Sequence, residues 1–311
     1  MSSRAGSTTR NRGSGVAGVT ALTALAPASW GTTYLVTTEF LPPGYPLTST
    51  VIRALPAGLI LLAVTRKLPH GPWLWRALLL GTLNIGAFNA LLFVAAYRLP
   101  GGVAATLTSV QPILVTGLAF VLLGEKPTRW RLGWALVGVA GVGLIVLRGQ
   151  VSFDLLGILA AIAGAGSMAG GVVLTKRWGR PEGAGAVTIA GWQLTAGGLV
   201  LVPLALAFEG LPPAMDLRAI GGYAWLCVVG ALLTYPIWFH GIGRLSVVAV
   251  SFLPLLSPTV ATILGWLFLH QALTPWQGVG FVLTLTAIAA AQLTPDVIRN
   301  LVRTPADTTG G

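Results

Sequence analysis

Long apolar runs alternate with short polar breaks along the whole chain. Apolar stretches at roughly 16–38, 47–65, 77–96, 102–123, 132–147, 155–175, 186–208, 219–239, 246–269 and 275–293 reach or approach the ~20 residues a helix needs to cross a hydrocarbon core of about 30 Å. The breaks hold turn chemistry: Pro42-Pro43-Gly44, Leu99-Pro100-Gly101, Lys126-Pro127-Thr128, Arg180-Pro181-Glu182 and Leu211-Pro212-Pro213. No soluble domain fits between them. The pattern predicts an all-α integral membrane protein with ten transmembrane helices.

The pattern also repeats. Adding 146 to the residue number carries Arg98-Leu99 onto Arg244-Leu245, Pro112 onto Pro258, Thr116 onto Thr262, Thr128 onto Thr274 and Trp130 onto Trp276, with no gap. Five spans per copy make the second copy enter the membrane from the opposite side, so the two form inverted five-helix repeats, a design of secondary transporters. The expected organisation is a polar, disordered N-terminus over 1–15, a first repeat over 16–147, a linker at 148–153, a second repeat over 154–293 and a tail over 294–311.

Composition agrees with a membrane protein: 54% of residues are hydrophobic and 9% charged, against roughly 25% charged in soluble domains. A net charge of +11 would suggest a nucleic-acid binder in a soluble chain, but the positions of the charges exclude it. With the N-terminus in the cytoplasm, fifteen of the nineteen basic residues fall on the inner side, while Arg98, Arg148 and Arg218 lie in outer loops and Arg53 lies inside a span. The positive-inside rule then puts both termini in the cytoplasm of a multi-pass inner-membrane protein. Its expected partners are the lipid bilayer and a small-molecule solute, not nucleic acid; oligomeric state carries no signal.

Chemistry for an enzyme is sparse. His70, His240 and His270 have no metal-ligand spacing, there is no Gly-rich phosphate loop, and no close carboxylate pair falls within a span. No catalytic residue, metal or cofactor is therefore assigned. Cys227 is the single cysteine, which excludes a disulfide or dithiol site. Ala26-Pro27-Ala28 imitates a cleavage site, but the apolar run continues past it and reads as a retained first span. Glu39, Asp154 and Glu209 lie near outer ends and Glu125 and Glu182 near inner ones, so no carboxylate is deep enough for a proton relay, and His240 is left as the weak candidate.

Two features point to a binding site. Pro112 and Pro258 occupy matching places in the two repeats, where helix breaks of a transporter flank its solute and gate it. Arg53 is the one charge well inside a span; it either snorkels to the interface or faces a cavity with Glu39 as its counter-ion. Small residues at helical spacing, Ala163, Ser167 and Gly171 or Gly166 and Gly170, read as packing faces. Thr106, Ser109, Pro112 and Thr116 share one helix face. The embedded amides and aromatic rings suit a flat, moderately polar solute, offering hydrogen bonds and π surface.

Trp30-Gly31-Thr32-Thr33-Tyr34, Arg53, Pro112 with Leu123-Gly124-Glu125, and Ser257-Pro258 with Gly265-Trp266 together resemble the EamA family of the drug/metabolite transporter superfamily. Within it, residues 30–43 and 96–102 look most like the blue-pigment (indigoidine) exporter group. The resemblance implies a central cavity lined mainly by helices one, three, four, six, eight and nine, with Trp30, Tyr34, Asn84, Gln111, Ser167, Tyr235, Trp238 and Ser257 as substrate-binding candidates. One departure is that the second copy reads His270-Gln271 where many relatives have Gly-Glu. The reading that follows is an alternating-access exporter of small organic metabolites. An uptake system or exchanger on the same scaffold, or a membrane-embedded enzyme, are the alternatives.

Overall fold

The computed structural model describes residues 6–98, 107–146, 154–210, 215–269 and 274–292; Thr106, His270, Gln271, the 148–153 linker and the 294–311 tail fall outside them, as does the side chain of Tyr34. The helices are α1 (Gly6–Phe40), α2 (Pro46–Thr65), α3 (Trp73–Gly81), α4 (Phe88–Arg98), α5 (Gln111–Leu123), α6 (Arg129–Val146) and α7 (Leu155–Trp178), followed by α8 (Ala186–Phe208), α9 (Leu217–Cys227), α10 (Thr234–Arg244), α11 (Val247–Val250), α12 (Leu256–Leu269) and α13 (Pro275–Gln292). A π-helical turn, Thr82–Ala87, joins α3 to α4 in one rod, and another, Val228–Leu233, joins α9 to α10. A 3-10 turn at Leu253–Leu255 separates α11 from α12. The result is ten rods. Six of the described helical stretches are long and apolar enough by themselves to cross a membrane.

The 146-residue offset seen in the sequence reappears in the elements. It carries Thr82–Ala87 onto Val228–Leu233, Phe88–Arg98 onto Thr234–Arg244, and Arg129–Val146 onto Pro275–Gln292, end for end. Side-chain bonds follow the same register: Thr116 donates to its own-helix Pro112 carbonyl at 2.7 Å, and Thr262 to Pro258 at 3.0 Å.

Packing has the same two-fold character. α2 lies along α8 and α6 along α13, each pair its own symmetry mate; α4 on α7 is matched by α10 on α1, and α5 on α7 by α12 on α1. The two inverted repeats are thus interleaved. In lipid there is no hydrophobic drive between helices, so close approach through small residues supplies the attraction. A Cβ on Gly58 would lie 2.5 Å from the Thr195 backbone nitrogen, and one on Gly280 would lie 2.6 Å from the Gly141 carbonyl. On α7, Gly171 does pack tightly, since a Cβ there would run into the Asn84 amide. Ala163, Gly166 and Gly170 depart from the expected packing face: Ala163 is exposed, and open space surrounds the other two. The buried stripe runs instead through Gly164, Ala165, Met168 and Gly171, where Gly164 packs on Phe88 and Leu91 and Gly171 on Asn84.

Large apolar side chains such as Phe208 (78% exposed) and Val121 (75%) face outward. That surface belongs against acyl chains. At the N-terminus α1 begins at Gly6, ahead of the apolar span. Extending a helix that the membrane span has nucleated needs no new nucleus, so even a polar stretch can continue it.

Candidate functional site

The rods leave a central cavity of about 350 Å³ walled by α1, α2, α4, α5, the α9–α10 rod, and the broken start of α12. It reaches Thr37 and Pro46, close to the end of the bundle where α1 stops and α2 begins, and bottoms on Ser251, Pro254 and Leu255. Trp30, Gln111, Tyr235 and Ser257 of the expected binding residues line it, together with Pro112, Pro258 and Arg53.

Both prolines sit where continuous helix starts. Pro112 is in the first turn of α5 and Pro258 is the third residue of α12. The breaks themselves come just before, at Ser109–Val110 and across Ser251–Leu255. Proline suits a first turn because its missing N–H would have no partner there. The prolines therefore set where each helix restarts, and do not kink a continuous helix.

Around Gly230 the cavity wall is built with some care for its polar groups. The π turn widens the helix and leaves the Gly230 carbonyl to accept from Trp30 Nε1 at 3.1 Å, Arg53 NH2 at 2.9 Å and Thr234 Oγ1 at 2.9 Å. Trp30 also donates to Thr234 Oγ1 at 3.2 Å and packs on Tyr235 and Trp238, with ring centroids 5.3 and 5.4 Å away. Trp238 is only 1% exposed and stands behind Trp30, outside the cavity lining.

The expected Arg53–Glu39 pair does not form. Glu39, one residue from the end of α1, meets Arg218 at 3.5 Å on the exposed rim, whereas Arg53 is two turns into α2 and aims across at α10's π turn. Asn84 and Ser167 also lie away from the cavity. Asn84 donates to Gln193 Oε1 at 2.7 Å and Thr175 Oγ1 at 3.4 Å within the α7–α8 seam, and Ser167 donates to Leu83 O at 2.8 Å. The Ser167 bond mirrors that of Trp30: in each half a side chain of the crossing rod meets a carbonyl on the partner's π turn. His240 is not among the lining residues.

Sequence reading passed over one wall. Pro46, Ser49, Thr50 and Arg53 all line the cavity and recur at i, i+3, i+4 and i+7, a polar stripe on an apolar helix. Trp30, Thr33 and Thr37 on α1 do the same. The second rod is therefore part of the wall, and the sixth, through Met168, contributes little. Among the described residues no group of histidine, cysteine and carboxylate side chains is arranged to hold a metal ion.

The far end of the bundle is shut. Val247, Val250 and Phe252 are fully buried beneath the cavity floor, as are Trp238 and Ile242 nearby. Lys176 Nζ donates to the carbonyls of Ile242 at 3.1 Å, Gly243 at 3.3 Å and Leu245 at 2.9 Å, and Arg180 NH2 to Phe239 O at 2.7 Å. These cations cap the last turns of α10, where carbonyls lack helical partners and the helix dipole is negative. Arg180 lies outside the spans, and its pKa is lowered first by burial and then by Arg244.

Two interleaved inverted repeats around a cavity that reaches toward one end and is sealed at the other define a membrane carrier. Comparison with known proteins gives the family. EamA-like transporter domains match residues 18–147 and 155–291. Protein PecM of Dickeya dadantii is 46% identical over 267 residues, covering 86% of this chain and 90% of that one. An uncharacterized inner membrane transporter of Escherichia coli, YedA, is 29% identical over 245 residues, 76% of this chain and 78% of its own. A crystal structure superimposes with a TM-score of 0.73 over 88% of this chain and 97% of that one at 20% identity, a likeness of fold. The chain belongs to the EamA-like transporter family, within the drug/metabolite transporter superfamily; it is a multi-pass inner-membrane protein, a transporter of a small-molecule substrate and not an enzyme.

Proposed function

We propose that the protein exports small, flat, hydrogen-bonding organic metabolites by alternating access around the central cavity. The observation that carries this reading is the position of the cavity. It lies where both repeats break their helices, at Ser109–Val110 and Ser251–Leu255, and its walls combine the Trp30 and Tyr235 rings with Gln111, Ser257 and several hydroxyls. A pocket of this kind binds through apolar contact and orients its ligand with a few polar groups. Trp30, Gln111, Tyr235 and Ser257 touch the solute in this reading. Asn84, Ser167 and Trp238 hold the walls in place.

The basic loops Arg66–Arg76, Lys126–Arg131 and Lys176–Arg180 lie at the shut end. Under the positive-inside rule that end and both termini are cytoplasmic, so the cavity faces outward. The finer assignment, export of a blue pigment of the indigoidine kind, rests on the sequence resemblance alone, since ring-bearing walls suit flat solutes in general.

Metabolite profiling of a deletion strain against an overexpressing strain tests the proposal. One or a few small metabolites should build up in the medium of the overexpressor, and that build-up should fall with Trp30→Ala or Gln111→Ala at equal folded protein. Identical profiles in all strains would refute it.

A further inference from the structure

We infer that Arg53 determines specificity and that the solutes it selects carry a carboxylate. The inference rests on the carrier reading above and narrows its substrate class, setting a carboxylate in place of the uncharged pigment that the resemblance alone names. Arg53 is the one residue with a permanent charge among the described lining residues. It sits seven residues into α2, about 10 Å from the helix start at 1.5 Å per residue. A long side chain at that depth could snorkel to the rim. Instead Arg53 lines the cavity and donates one N–H to Gly230 O, on the rod packed beside α2, at 2.9 Å.

That carbonyl orients the guanidinium without neutralising it. The described carboxylates at this end of the bundle are engaged elsewhere: Glu39 faces Arg218 at 3.5 Å, Glu209 accepts from the Leu47 and Thr48 backbone nitrogens at 2.6 and 2.8 Å, Asp216 accepts from Ala219 N at 2.7 Å, and Asp154 accepts from Gly157 N at 2.7 Å and meets Arg98 at 3.3 Å. A guanidinium has five donors in a planar fork, so most of its capacity is left for a ligand, and the group that fits such a fork is a carboxylate bound through both oxygens. A half-buried charge without a counter-charge still carries part of its desolvation cost. Here the missing negative charge arrives with the solute. Gln111 lines the same cavity, and its buried Nε2 has no hydrogen-bond partner among the described residues.

Flux direction follows from the same charge. A carrier that moves one carboxylate without a compensating ion moves one negative charge per cycle, and an inside-negative membrane drives that charge outward. At 100 mV the driving force is ~2.3 kcal/mol per elementary charge, which is a concentration ratio of about fifty.

The test uses the full-length protein in liposomes loaded with a mixture of small aromatic and aliphatic monocarboxylates and their neutral carboxamides. Efflux above protein-free liposomes is followed by mass spectrometry, with and without an imposed inside-negative potential. Wild-type protein should release carboxylates at least tenfold faster than the matching amides and faster still under the potential. Arg53→Gln should bring the acid-to-amide ratio to about one, and Arg53→Lys, which keeps the charge but loses the fork, should fall between. Rates are normalised to monodisperse protein. Efflux confined to amides, or an acid-to-amide ratio unchanged in Arg53→Gln, overturns the inference while leaving the carrier reading standing. No efflux of any component counts against the carrier reading itself.

Discussion

Lys176 holds the sealed end of the carrier, and removing its charge should open that end measurably. Its ammonium reaches three carbonyls at the end of α10, and Arg180 reaches a fourth. Hydrogen bonds to charged groups contribute about 1.5–3 kcal/mol each where desolvated. Water at the interface can replace part of this, so about 2 kcal/mol is the reasonable total for Lys176, comparable to the upper range for a cation at a helix C-terminus. Lys176→Met should therefore raise the population open at this end roughly 30-fold, since ~1.4 kcal/mol is tenfold. Val250 is fully buried beneath the cavity floor and reports the change. With Cys227 replaced and Val250→Cys introduced, an impermeant thiol reagent added from the basic side should label the Lys176→Met protein about 30 times faster, and Lys176→Arg should restore slow labelling. Equal labelling rates in folded Lys176→Met and its parent would refute the reasoning, because the bonds would then be present in both states.

The seam between α2 and α8 should be equally sensitive to size. Gly58→Ala puts a Cβ 2.5 Å from the Thr195 backbone nitrogen, and backbone cannot yield as a side-chain tip can, so detergent unfolding should show a loss of about 1–3 kcal/mol, typical of overpacking. At the start of α7, the Asp154 carboxyl is held below its ordinary range, first by the Gly157 N–H and then by Arg98. A lowered folded-state pKa gives stability that is present above the unfolded value and lost as pH falls through the folded one. Asp154→Asn should thus flatten the melting-temperature profile only below about pH 4, and a difference between the two proteins confined to pH 6–8 would contradict this cause.

Much of the fold was legible because the membrane simplifies the code. Apolar length marks a span, and prolines and glycines mark its ends. The 146-residue register of Pro112 with Pro258 and Trp130 with Trp276 ran on into helix ends that sequence could not show, such as Arg98 with Arg244 and Val146 with Gln292. The site was less legible. Residue type alone nominated Asn84, Ser167 and Trp238, yet whether an embedded polar group faces a cavity or a neighbouring helix depends on the rotation of its rod. Asn84 has a partner amide in Gln193, a pairing across 109 residues that periodicity cannot reveal. The α2 stripe was present in the spacing of Pro46, Ser49, Thr50 and Arg53, but serines and threonines in membrane helices so often bond their own backbone that the stripe does not stand out. Thr50 does make such a bond, to Pro46 at 3.0 Å, and still lines the cavity.

The two π turns show how a symmetric frame acquires a one-sided site. Position 84 in the first copy corresponds to position 230 in the second, and the same widened turn holds Asn there in one case and Gly in the other. Asn84 fills the space with an amide that ties the turn to α7 and α8. Gly230 has no side chain, and a Cβ built there would approach Arg53 Nε to 3.4 Å, so its carbonyl is left open to Arg53 and Trp30. In the first half the turn joins a seam between helices; in the second it becomes part of the cavity wall. The difference of one side chain at a shared backbone feature is what lets Arg53 point inward, and it locates the charge selectivity of the carrier in the second repeat's π turn as much as in the arginine itself.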